Sequence, residues 1–275
     1  MADREHFLYR DNHTREISFP LGGIGTGSIG LAGNGRLIDW EIFNRPNKGS
    51  LNGFSHFAIK AERDGRVVDA RILQGDLHPP YTGSYTSPSY NSFGFGPDRQ
   101  TLAGLPHFTA TAFTGEFPLA RVAFLDERFP GQVELLAFNP FIPLNAADSG
   151  IPAAFFEIQV TNTTAAPLTY QVTGALGDPL PAHNRHAISG DGSRAYLQMF
   201  SSATAPDLIA QGDLTLALDA GEGAFHPESQ AYWFRGAWFD SLEVYWREQM
   251  TPGGLKPRDY PPDQAGKDNT GSLAA

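Results

Sequence analysis

Apolar and polar residues alternate with a period of two along most of this chain, and that restricts its fold more than any other feature. In Ala153–Thr161, residues Ala154, Phe156, Ile158 and Val160 point to one side, and Phe155, Glu157, Gln159 and Thr161 point to the other. A strand with one buried face requires that pattern. Leu168, Tyr170 and Val172 alternate in the same way with Thr169, Gln171 and Thr173, and the polar Asn162–Pro167 link predicts an antiparallel hairpin between the two runs. Similar runs occupy Leu37–Phe43, Phe54–Ala61, Arg66–Leu73, Phe108–Phe113, Leu119–Leu125, Val133–Phe138 and Leu214–Leu218. With 30 Gly and 21 Pro, turn residues separate nearly all of them. Only Ser241–Gln249 reads as a helix, with Asp240 or Ser241 to cap it and Glu243 near the positive end of its dipole. The prediction is an all-β fold: one large antiparallel β-sandwich over residues 1–275, with one short helix near the C-terminus. Thr270–Ala275 starts like a strand and stops, which predicts a sandwich truncated before its last strands, with an unpaired neighbour prone to self-association.

Charge and composition narrow the function classes. Twenty Lys+Arg against 30 Asp+Glu give a net charge of −10, which opposes a grip on phosphate backbones, so no nucleic-acid partner is expected. No apolar run is long enough to cross a bilayer, and Met1–Asn12 lacks the apolar stretch of a signal peptide. A cytoplasmic location is expected, with contact to membranes left open. The absence of cysteine removes disulfides, thiolate nucleophiles and Cys-ligated metals together.

Several motifs need weighing. Gly25, Gly27 and Gly30 match G-x-G-x-x-G, but Gly33-Asn34-Gly35 would break the helix that a dinucleotide site requires. A close approach of backbones followed by a strand, a turn at Asn34-Gly35 and a second strand fits better. Asp39 and Glu41 share one face of that second strand, a spacing that permits acid and base roles in glycoside hydrolysis, although such pairs more often bind neighbouring backbone. His183 and His186 form H-x-x-H amid proline and glycine and read as loop histidines, so no metal ligand and no cofactor is assigned. The segment Pro79–Pro106 carries Tyr81, Tyr85, Tyr90, Phe93 and Phe95, rings able to stack on sugars or to pack on a neighbour.

Three segments carry a resemblance to a known family: FPLGGIGTGSIGL followed by NGRLIDWEIFNRPNKG, then GLPHFTATAFTGEFPLARVAF, then VELLAFNPFIPLNAADSGIPAAFFEIQVTNTT. In this order they resemble the N-terminal domain of glycoside hydrolase family 116, the non-lysosomal glucosylceramidases and related β-glucosidases. The resemblance implies a β-sandwich joined to a C-terminal (α/α)6 barrel, in cis or on a separate chain, that holds both catalytic carboxylates of a retaining mechanism. No residue here matches those carboxylates, so no catalytic residue is carried over, and β-glucosides are reached only through the barrel. The expectation is a non-catalytic domain that docks on the barrel through Gly25, Gly27, Asp39, Glu41, Phe43, Asn44 and Arg45. The alternatives are a stand-alone carbohydrate-binding module using Tyr81, Tyr85, Tyr90 and Phe93, or a degenerate remnant.

Overall fold

The computed structural model describes residues 7–79, 97–180, 184–201, 212–221, 227–236, 240–261 and 269–275. The sheets are antiparallel, and the chain divides into two compact units, Met1–Leu51 with Arg71–Pro167 and Asn52–Ala70 with Leu168–Ala275. Among the described residues, each unit holds one five-stranded and one three-stranded sheet.

In the first unit, β1 (Leu8–Arg10), β7 (Ala110–Glu116), β8 (Leu119–Leu125), β9 (Gly131–Phe138) and β10 (Phe155–Asn162) form the larger sheet in that order. Alternation decides its faces. Val122 and Phe124 of β8 and Val133, Leu135 and Ala137 of β9 are buried, while Arg121 and Glu134 pair on the opposite face. The smaller sheet is β2 (Ser18–Leu21), β3 (Ser28–Ala32) and β4 (Leu37–Glu41). It rests on the larger one through Phe19 against Phe113, with ring centroids 6.3 Å apart, and through Thr111 Oγ1, which donates to the Gly33 carbonyl at 2.9 Å. The predicted strand, Asn34-Gly35 turn and second strand are all present.

The second unit orders β15 (Glu228–Gln230), β16 (Thr270–Ala274), β11 (Thr169–Gly177), β5 (His56–Arg63) and β6 (Arg66–Ile72) into one sheet, and β12 (Asn184–Asp191), β13 (Arg194–Ser201) and β14 (Asp213–Asp219) into the other. Residues 173–177 of β11 and all of β16 are buried without a break, as strands covered on both faces must be. One cover is the three-stranded sheet, whose Leu216 lies beside Gly174 and whose Leu197 lies beside Gly271. The other is the helix Ser241–Gln249, found with the predicted ends. Ser241, Tyr245 and Gln249 recur every four residues on its buried side, and Gln249 Nε2 donates to Thr173 Oγ1 at 3.3 Å.

Four expectations need correction. β10 and β11 do not form a hairpin: β10 pairs with β9, whereas β11 pairs with β5 and β16. The link between them closes on itself, with Asn162 accepting from Thr164 N and donating to the Ala166 carbonyl, both at 2.8 Å. Thr270–Ala274 is a full strand paired on both sides, so the expected unpaired neighbour is absent there. Asp240 occupies the helix N-cap position without a side-chain capping bond. His186 lies in β12 and not in a loop; the polar NRHAISGD run hid that strand, although Ala195, Leu197 and Met199 of its partner alternate cleanly.

Buried aromatic groups tie the helix to the sheet. Tyr245 stacks on Trp233 at 3.8 Å, and His56 Nε2 lies 3.0 Å from the Tyr245 hydroxyl while Nδ1 donates to the Phe54 carbonyl at 2.6 Å. Burial pushes the His56 pKa down to about 4. The native state therefore binds fewer protons than the unfolded chain below pH 6.5, and the stability that a neutral His56 supplies is complete above that value. Stability should fall by about 3 kcal/mol between pH 6.5 and 4. Urea titrations across that range should show the loss in the native chain and a much flatter response in His56→Gln.

Candidate docking site

Asp39 starts the local architecture from an unusual backbone. Its φ is +51°, and the register between β3 and β4 slips there, with Ser28 facing Glu41 but Gly30 facing Ile38. The extra residue in β4 makes a β-bulge, and Asp is among the few side chains that tolerate the left-handed region. The bulge turns the buried Asp39 carboxylate toward two donors, Ser18 Oγ at 2.6 Å and Gly49 N at 2.6 Å. Lys48 Nζ lies 3.7 Å from it and 2.9 Å from Glu41, and Glu41 Oε1 also accepts from Asn47 N at 3.1 Å. Backbone bonds complete the attachment: Asp39 N donates to the Ser50 carbonyl at 3.0 Å, Trp40 N to Ser50 Oγ at 2.8 Å, and Asn47 Nδ2 to the Trp40 carbonyl at 3.0 Å.

Both acids are thereby held as anions. Burial pulls the Asp39 pKa up, but the hydrogen bonds from Ser18 and Gly49 and the charge of Lys48 outweigh it and leave it below the usual carboxylate value. Glu41 is lowered chiefly by its bond from Lys48 and then by Asn47. A general acid in glycoside hydrolysis needs a raised pKa, so the pair is poised against that role. Its work is to fasten residues 42–50 along β4, where Phe43 is half-buried and Asn44 and Arg45 are exposed.

The glycine-rich turn joins this loop from the side. Gly27 has φ +96°, and a Cβ there would stand 2.7 Å from the Glu41 carbonyl oxygen, so the turn meets β4 backbone to backbone. Gly25 has φ +79° with open space around it. Gly30 lies inside β3 and begins no helix, as the strand reading requires. Behind the turn, the buried Asn139 accepts from Gly22 N at 2.7 Å and donates to the Pro20 carbonyl at 2.9 Å, and Ile24 N donates to the Ser149 carbonyl at 2.8 Å. Gly25, Gly27, Glu41, Phe43, Asn44 and Arg45 therefore lie on adjoining segments of the first unit, with Asp39 buried between β2 and the returning loop. The sequence reading missed Ser18 and Asn139, because a single serine or asparagine at a strand end carries no periodic signal.

The other candidates separate from it. Tyr81, Tyr85, Tyr90, Phe93 and Phe95 lie outside the described residues, as does His183. His186 Nδ1 donates to the Ala231 carbonyl at 2.6 Å, its Nε2 lies 3.1 Å from Asp178 Oδ2, and its ring stacks on Tyr232 at 4.3 Å. Among the described residues no three potential metal ligands converge, and no helix is long and apolar enough to cross a membrane.

A comparison with protein families finds one matching model, described as beta-glucosidase 2, glycosyl-hydrolase family 116 N-term, over residues 18–275. No curated protein matches the chain. Gly25 and Gly27 both have positive φ, and of this pair Gly27 also faces a backbone clash. Gly27→Ala should cost about 2 to 3 kcal/mol in urea unfolding, against about 1 kcal/mol for Gly25→Ala.

Proposed function

Given that this chain belongs to glycosyl hydrolase family 116 as its N-terminal domain, we propose that it serves a β-glucosidase-type hydrolase without doing chemistry itself, by docking on a catalytic α/α barrel and shaping its rim. The barrel is carried in cis or on a separate chain, and β-glucosides meet this domain only at that rim. The observation that carries the reading is the use of Asp39 and Glu41. Both carboxylates have lowered pKa values and hold the 42–50 loop, on which Asn44 and Arg45 are exposed, and this supports a docking role over an acid role at a glycosidic oxygen. Docking surfaces of this kind gain specificity from a rigid backbone that positions a few polar groups, Arg prominent among them.

The purified 275-residue chain should show no turnover of aryl β-glucosides. Turnover that disappears in Glu41→Gln would overturn the reading. Arg45→Ala should leave the urea midpoint unchanged and weaken capture by the catalytic barrel of a family 116 β-glucosidase by about tenfold. Capture that is equal for both forms would remove Arg45 from the docking surface.

A further inference from the structure

The first unit also carries an apolar shelf that the docking loop does not use. Ile24 of the glycine-rich turn and Phe141, Ile142, Leu144 and Ala146 of the arm between β9 and β10 line a depression of about 310 Å³. Leu144 forms one wall of it and projects past the rim, with a relative exposure of 108% and φ +65°. Leucine rarely adopts the left-handed region, which costs roughly 1–2 kcal/mol, and here the conformation lifts a whole isobutyl group into water. The shelf extends from the depression across the sheet. Phe117 meets Phe141 at 5.3 Å, and Leu119 of β8, Phe138 of β9 and Phe155 of β10 form one cross-strand row, with Phe138 and Phe155 stacked at 5.0 Å. Farther along the same outer face the row becomes Arg121, Leu136 and Glu157, so charged side chains interrupt the apolar surface beyond this end.

Ser149 and Asn145, which line the depression, are bonded within the chain. Ser149 Oγ donates to the Ile142 carbonyl at 2.9 Å and accepts from Ile142 N at 3.0 Å, and Asn145 Oδ1 accepts from Asp148 N at 3.1 Å. Drying the surface therefore strands none of these groups. The exposed parts of Ile24, Phe117, Leu119, Phe141, Ile142, Leu144, Ile151 and Phe155 amount to about 800 Å², which is what each partner of a standard stable interface buries.

A projecting knob next to a hole of suitable size is self-complementary about a two-fold axis, because in such an interface residue i meets j while j meets i. We propose that this shelf is the interface of a symmetric dimer of the chain, with each copy's Leu144 seated in the depression of the other. The contact differs from the strand-edge association expected from the sequence, since it joins faces rather than edges.

Sedimentation velocity on the 275-residue chain between about 1 and about 100 µM tests it, with a dimer of roughly micromolar dissociation constant expected. Leu144→Gly removes the knob and suits the positive φ, so it should raise the urea midpoint while weakening association at least about tenfold. Ala146→Leu fills the hole and should weaken association comparably without a change in far-ultraviolet circular dichroism. A monomer across the whole range, which would leave the shelf to a different macromolecule, overturns the proposal. So does a dimer that both variants leave unchanged.

Discussion

The Asp39 carboxylate is buried where three segments of the first unit converge. It accepts from Ser18 on β2 and from Gly49 on the returning loop, and it sits on the bulge that sets the register of β4. A buried anion is tolerated only where donors surround it, so each of those partners is fixed by the cost of leaving it unpaired. The positions of the 42–50 loop, the glycine turn and the first residues of β2 follow from that requirement. Glu41 and Lys48 then act at the rim, where solvent screens them and geometry matters more than energy.

The same constraint separates structural acids from catalytic ones. Hydrolysing a glycosidic bond takes one carboxyl kept protonated near neutral pH, and such a group needs an apolar pocket or a like charge with few donors. Asp39 and Glu41 meet the reverse environment, rich in N–H and hydroxyl donors and sharing one lysine. Family membership as an N-terminal domain and the chemistry of the pair thus point in the same direction.

Period-two alternation made much of the fold legible, because a sheet with one wet face writes its burial directly into the sequence. β8, β9 and β10 were readable for that reason, and the helix Ser241–Gln249 was readable from its spacing. Pairing was harder. β10 and β11 are adjacent in sequence and similar in pattern, yet Asn162 and Thr164 bend the link away and the two strands enter different sheets. β12 was invisible because its partners are a hairpin neighbour and the side chains around His186, not an apolar stripe of its own. At the candidate docking site the glycines and acids were legible as residue types. The bulge was not, since an aspartate at positive φ looks in sequence like any strand aspartate.

The two units are threaded through one another along the chain. Asn52–Ala70 leaves the first unit's sequence to join the second, and the larger sheet of the second unit places β11 between β5, more than a hundred residues before it, and β16, almost as far after it. Contacts that distant are won only after long loops have closed, so this sheet belongs to the slow-forming class of topologies. Neither unit corresponds to a contiguous stretch of gene. A single cut of the chain placed after Pro167 would keep all of the first unit but separate the two segments of the second.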